Sequence, residues 1–127
     1  MPELPEVETT KTSLLPLLGQ TVLKVTVHQP SLRWPIPNDL QKLVGQKLIQ
    51  LTRRSKYILA QFEQDTMLWH LGMSGSFRIC DEHDELRKHD HFILQLDDVQ
   101  LRYHDPRRFG CILWLDPNSQ SKLIDTL

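Results

Sequence analysis

No stretch of this sequence holds an apolar run near the roughly 18 residues that a membrane-spanning helix needs. Its first ten residues are acidic where a secretory signal would be basic. Neither export nor membrane insertion is expected. Cysteine is scarce: Cys80 and Cys111 are the two among 127 residues, with no C-x-x-C pair and no spacing typical of zinc ligands. Both are expected reduced and half-buried. Excess charge is missing too: the net charge is −1, without the basic surplus usual for a nucleic-acid binder. Internal repeats and low-complexity tracts are absent. The rest, with 39% apolar and 24% charged residues, has the composition of one ordinary globular domain.

The charge that is present is unevenly spread. Short basic knots stand at "RRSK" (Arg53, Arg54, Lys56), "RKH" (Arg87, Lys88, His89) and "DPRR" (Arg107, Arg108), whereas acid gathers at Glu3 to Glu8 and at "CDEHDE". A nearly neutral chain of this kind can still present one positive face.

Periodicity gives the elements. Pro5 suits the first turn of a helix whose positive end favours Glu3, Glu6 and Glu8. Val7, Leu14, Leu15 and Leu18 recur at helical spacing, with Pro16 and Gly19 as the stop. From Thr21 the period becomes two, so "TVLKVTVH" reads as a half-buried strand with Leu23, Val25 and Val27 facing one side. "RWPIPND" is a loop, and Asn38 or Asp39 caps a short helix that Gly45 terminates. Then follow "KLIQLTRR", "YILAQF", "TMLWHL", "SFRIC", "HFILQL", "VQLRYH" and "CILWL", with "EQD" and "DD" as turns. The expected fold is mainly β with flanking helices: an antiparallel sandwich of about eight strands, an N-terminal helix and one short helix. "PNSQSKLIDTL" reads as a capped helix beginning at Ser119 or Ser121.

Several stretches carry chemistry. "HLGMSGS" sets Met73 between Gly72 and Gly75, either as a plain glycine turn with the methionine tucked under it or as a turn presenting one apolar side chain. "YHDPRRFG" is either a solvated loop with Phe109 packed inward or a probe. Taken together, a methionine, an arginine and a phenylalanine on two loops suit entry into a duplex: apolar wedges unstack bases, and arginine satisfies the edges of an unpaired one. In "KHDH", His89 and His91 share one face if extended, with Asp90 opposite; no third ligand has clear spacing, so no metal is assigned. Lys56 lies between two strand-like runs, where a surface lysine is the ordinary reading.

The opening "MPELPEVETT" is either a dipole-capped helix start or a reagent. Lysine, with a reference pKa of about 10.4, offers little free amine at neutral pH, while an α-amino group titrates near about 7.7–8.0. With Met1 removed, Pro2 would supply a secondary amine able to form an iminium ion with a sugar C1′. Glu3 beside it could move protons, and Glu6 shares the helix face of Glu3.

The ordered motifs "PELPEVET", "RWP", "RRSKYIL", "HLGMSG", "KHDH" and "RYHDPRRFG" resemble the N-terminal half of the bacterial formamidopyrimidine-DNA glycosylases, over roughly residues 2 to 115. The resemblance implies a base-excision repair enzyme, a bifunctional glycosylase and abasic-site lyase. It would excise oxidised purines, formamidopyrimidines and 8-oxoguanine among them, and continue by β,δ-elimination. It implies Pro2 as Schiff-base nucleophile, Glu3 as the acid at the deoxyribose, and Lys56 at the elimination step and the lesion-strand phosphate. His89 and Arg107 match DNA-contacting positions. Met73, Arg107 and Phe109 match the residues that fill the gap left by a flipped nucleotide, with Glu6 and Arg108 as possible supports.

The family continues into a helix-two-turn-helix domain and a C-terminal zinc finger with the last catalytic arginine. The chain is therefore expected to be an N-terminal fragment, without cofactor or zinc of its own and inactive alone. The implied partner is double-stranded DNA with an oxidised base, met by a cytoplasmic, nucleoid-associated monomer. Two rivals are an endonuclease VIII-like enzyme for oxidised pyrimidines and a non-catalytic damaged-DNA-binding module. Leu4 and the intact "HLGMSG" and "DPRRFG" loops favour the purine enzyme over the first, and Pro2 with Glu3 argue against the second.

Overall fold

The structure, a computed structural model, describes residues 4–28, 40–54, 56–72, 75–108 and 110–115. The "RWP" loop, the Asn38/Asp39 cap and the helix expected at Ser119 or Ser121 lie outside the described residues. Helix α1 spans Leu4–Ser13. It ends there because Pro16 has no N–H for the carbonyl of Thr12; a 3-10 turn over Leu15–Leu17 takes over. Val7, Leu14 and Leu17 are the buried side chains of this segment, while Leu15 and Leu18 are each 38% exposed. The tighter turn shifts the phase after Leu14, so the helical spacing holds for Val7 and Leu14 but selects Leu15 and Leu18 where Leu17 is the buried residue.

Eight strands follow among the described residues: β1 Lys24–Val27, β2 Leu48–Arg54, β3 Tyr57–Phe62, β4 Thr66–His70, β5 Ser76–Cys80, β6 Asp90–Gln95, β7 Gln100–His104 and β8 Cys111–Leu115. They form two antiparallel four-stranded sheets, ordered β1-β6-β7-β5 and β2-β3-β4-β8. The mainly β class, the strand count and the N-terminal helix agree with the sequence reading; the short helix is a 3-10 turn over Leu40–Leu43, left through Gly45 at φ +92°. Helix α1 packs on β2 and β3. Inside, Trp69 on β4 meets Phe77 on β5 at 4.7 Å, and Phe77 meets Tyr103 on β7 at 4.9 Å. One aromatic stack thereby joins the two sheets.

The expected phase of the first strand fails at one residue. Val22 is fully buried and Leu23 is 52% exposed, the reverse of the alternation that put Leu23 with Val25. The cause is a change of sheet. Val22 N–H donates to the Gln46 carbonyl at 2.9 Å and Gly45 N–H donates to the Val22 carbonyl at 2.8 Å, which ties the chain to the residues before β2. One residue later, Leu23 N–H donates to the Gln95 carbonyl of β6 at 2.7 Å. The inward face is reset in between. Cys80 and Cys111 are not joined in a disulfide, and both are buried rather than half-buried because each ends or begins a strand facing the core.

This crossing generates a pair of expected outcomes. Val22→Ala should lower unfolding free energy by roughly 1.5–3 kcal/mol, the worth of a buried valine-sized side chain. Leu23→Ala should stay within about 0.5 kcal/mol. Urea denaturation of both variants checks the assignment, and the opposite order would restore the simple alternation.

Candidate nucleic-acid interface

Strand registers bring a cluster of basic residues to one end of the sandwich. In one sheet Arg54 lies opposite Tyr57, Tyr57 opposite His70 and His70 opposite Cys111. In the other, Ser76 and Asp90 both lie opposite His104, and His28 N–H donates to the His91 carbonyl at 2.8 Å. The β2–β3 turn with Lys56, the 71–75 and 105–110 loops between sheets, and the 88–90 segment therefore share that end. Lys56, Arg107 and Arg108 are exposed there and His89 is half-buried. Pro2, Glu3, Met73 and Phe109 lie outside the described residues.

Helix α1 runs antiparallel to β2. Glu8 accepts from Arg53 Nε at 2.9 Å near the interface end, whereas Gly19 N–H donates to the Leu48 carbonyl at the other. The first turn of α1, with exposed Glu6, thus points toward the Lys56 end. Glu8 also pairs with Lys11 at 2.8 Å. Hydrogen bonds from Lys11 and then Arg53 hold its carboxyl below the usual range, so Glu8 fastens the helix rather than serving only its dipole. The opposite end of the sandwich is acidic in its turns: Glu63 accepts from Lys47 N–H at 2.7 Å and Asp97 from Thr21 N–H at 2.9 Å, with Asp65 and Asp98 beside them.

The 105–110 loop is built on a buried carboxylate that the sequence reading passed over. Asp105 is fully buried. Its Oδ1 accepts from Arg108 N–H at 3.0 Å, and its Oδ2 accepts from Gly110 N–H at 2.9 Å and from the Tyr103 hydroxyl at 2.8 Å. Burial, then the Asp105 charge, pushes the Tyr103 phenol far up, so the hydroxyl remains a donor. Arg108 takes a left-handed φ of 56°, a conformation costly outside glycine and held here by the bond to Asp105. Pro106, Arg107 and Arg108 all face solvent, so none is core packing. The Asp-Pro pair opening the loop was the available signal, since aspartate readily bonds backbone N–H groups a few residues on.

"KHDH" is arranged differently from a plain extended segment. A bulge between Asp90 and Phe92 resets β6. Asp90 and His91, neighbours that a plain strand would point to opposite faces, are both buried. Arg78 grips the Asp90 carboxylate with both Nη atoms, one at 2.7 Å; Arg87 N–H adds a bond at 2.8 Å and His104 Nδ1 one at 3.1 Å. Burial alone would raise the Asp90 pKa; the Arg78, Arg87 and His104 hydrogen bonds outweigh it and hold the group at about 2. The His89 ring stands 6.0 Å from that of His91 and 5.9 Å from that of His104. Desolvation first, then the charge of Lys88, lowers its pKa. A cavity of about 290 Å³ beside it is lined by His28, Lys88, His89, His91 and Arg108 together with Asp90 and Pro106. Among the described residues no group of three His, Cys, Asp or Glu side chains is placed to hold a metal.

His70 is a second residue the sequence reading missed. It is buried, stacks at 4.8 Å on Tyr57 beside Lys56, and its Nδ1 accepts from Gly72 N–H at 3.1 Å. A neutral ring that accepts at Nδ1 carries its proton on Nε2, so the Gly72 N–H selects the tautomer and holds the ring in place.

The sequence model of the formamidopyrimidine-DNA glycosylase N-terminal domain matches residues 1–112. The chain belongs to this family. It is 78% identical over 127 residues to the formamidopyrimidine-DNA glycosylase of Acinetobacter baumannii (strain SDF), covering all of this chain and 46% of the relative, and 70% identical to that of Acinetobacter baylyi, covering 47% of it. It thus spans about half the length of the curated relatives it matches. The Lactococcus lactis enzyme in complex with DNA containing FAPY-dG superposes with a TM-score of 0.89 at 28% identity, over 98% of this chain and 48% of that one. The same enzyme with DNA containing an abasic site gives 0.90 at 27% identity.

The Asp90 hub carries a pH dependence. Its folded pKa of about 2 lies below the reference of 3.8, so its contribution is complete above about pH 4 and is lost as pH falls toward 2. In an acid titration followed by circular dichroism, Asp90→Asn should start less stable at pH 7 and lose less between pH 4 and 2. An unchanged acid slope would remove Asp90 from that role.

Proposed function

We propose that this chain is the N-terminal catalytic half of a base-excision repair enzyme that flips and excises oxidised purines from duplex DNA, then cleaves the abasic site. The observation that carries the reading is the family match across residues 1–112, joined to the gathering of Lys56, His70, His89 and Arg107 at one end of the sandwich. Relatives of twice the length, and the Lactococcus lactis enzyme's complexes with damaged DNA, support DNA as the partner. The missing length would supply the helix-two-turn-helix and zinc-finger domains and the other wall of the cleft. The zinc belongs to that half, and the 127-residue fragment alone would bind DNA weakly without turnover. The protein would act as a cytoplasmic, nucleoid-associated monomer.

In this reading Met1 is removed and the secondary amine of Pro2 attacks the sugar C1′ as the damaged base leaves with its bonding electrons and a proton. Glu3 protonates the opening ring oxygen, giving an iminium ion. Loss of a C2′ proton then expels the 3′ phosphate, a second elimination expels the 5′ phosphate, and water releases the amine. Lys56, exposed at that end, suits the lesion-strand phosphate as a donor. Arg107, exposed on the loop built on Asp105, faces the orphaned base, with Met73 and Phe109 filling the gap and Glu6 and Arg108 in support.

Borohydride trapping of the full-length protein on a duplex with one 8-oxoguanine should give a covalent adduct that mass spectrometry places on Pro2; an adduct on Lys56 would overturn the nucleophile assignment. Arg107→Ala in the same protein should weaken lesion-duplex binding by roughly 1–3 kcal/mol, the worth of one good base-edge contact. Its melting temperature should hold. Loss of stability with normal binding would make Arg107 a packing residue.

A further inference from the structure

The two loops that cross between the sheets close on one atom. A methyl group added to Gly75 would overlap the Tyr103 hydroxyl and the Leu71 carbonyl. One added to Gly110 would overlap the same hydroxyl and come 2.5 Å from the His70 carbonyl oxygen. Tyr103 Oη therefore lies in the seam between the 71–75 and 105–110 segments, at a closeness that only glycine on either side allows. The hydroxyl donates to Asp105, whose carboxylate also takes the Arg108 and Gly110 N–H groups. On the other loop, Gly75 N–H donates to the Leu71 carbonyl at 2.8 Å, closing the turn against the tyrosine. The Tyr103 ring is fixed from beneath by Phe77 in the sheet-bridging stack.

We propose that Tyr103 and Asp105 are positioning residues, a clasp that couples the two loops so that they meet DNA as one wedge of fixed spacing. The proposal rests on the reading of these loops as DNA probes. Two loops that moved separately would each have to be ordered on binding, and the arginine of one would hold no fixed distance from the other. A clasp fixes Leu71 and Gly75 on one side against Asp105, Arg108 and Gly110 on the other before DNA arrives. The left-handed Arg108 fits this role, because its conformation re-aims the chain at the point where Asp105 holds it from both sides.

The test is Tyr103→Phe in the full-length protein, which keeps the ring and removes the shared hydroxyl. Amide exchange at Gly75 and Gly110 should rise together, by about three- to tenfold for one lost hydrogen bond, while the strand amides of Leu68 and Leu94 keep their rates. Affinity for a lesion duplex should fall relative to an undamaged one. Faster exchange at Gly110 alone would show independent loops, and a uniform rise at all four amides would make Tyr103 ordinary core; either result overturns the clasp. If Tyr103→Phe does not fold, Asp105→Asn is read by the same four amides. Arg107→Ala in the binding assay separates the two ideas: if it leaves lesion binding intact, the DNA reading of the loops fails, while the exchange rates still judge the coupling.

Discussion

The geometry of the interface end depends on the burial of a single carboxylate. Asp105 has no solvent to satisfy it, so every lone pair must find a donor inside the protein. The donors it finds are the two backbone N–H groups on either side of position 109 and the hydroxyl of Tyr103. Its own carbonyl oxygen accepts from His91 Nε2, and its N–H donates to the His89 carbonyl at 3.0 Å. One residue therefore fixes the 105–110 loop, orients the Tyr103 hydroxyl and ties the histidine segment to both. Removing the charge would leave several groups without partners at once, because they all converge on it.

Asp90 does comparable work one strand away, by different physics. Its partners are charged or chargeable, Arg78 and His104, and they draw together β5, β6 and β7. Bidentate guanidinium pairing supplies direction as well as attraction. The β6 bulge, which looks like an irregularity in the ladder, is what turns the Asp90 side chain inward to meet them. The result is a rigid floor under His89 and the neighbouring loop.

Much of this architecture was legible in the sequence, and the reasons are physical. The strands from Leu48 to Leu115 are short apolar-rich runs separated by turn residues, so their length and punctuation mark them even where, as in β4 and β6, both faces are buried. Legibility ended where a residue's environment was set by something other than its own element. Leu23 was misplaced because the chain changes sheets beside it, and Leu15 and Leu18 because a proline converts the helix to a tighter turn. Asp105, Asp90 and His70 read as loop or strand-end polar residues. Their burial arises from three-dimensional convergence of the strand ends, which no local pattern encodes. For Pro2, Glu3, Met73 and Phe109 the assignment rests on motif resemblance alone.

The separation of charge along the sandwich has an electrical consequence. With a net charge of −1, this body feels almost no overall pull toward a polyanion, in contrast to proteins that adhere to DNA through a basic surplus. Yet Lys56, Lys88, Arg107 and Arg108 stand together at one end, whereas at the other the acidic turns of Glu63, Asp65, Asp97 and Asp98 are interspersed with Lys24, Lys42 and Lys47. The cations form a local cluster on a surface whose charges otherwise balance. Within a Debye length, about 8 Å at physiological salt, the leading cations dominate. In the DNA-binding role proposed above, attraction would act mainly at short range and only where this end faces the duplex.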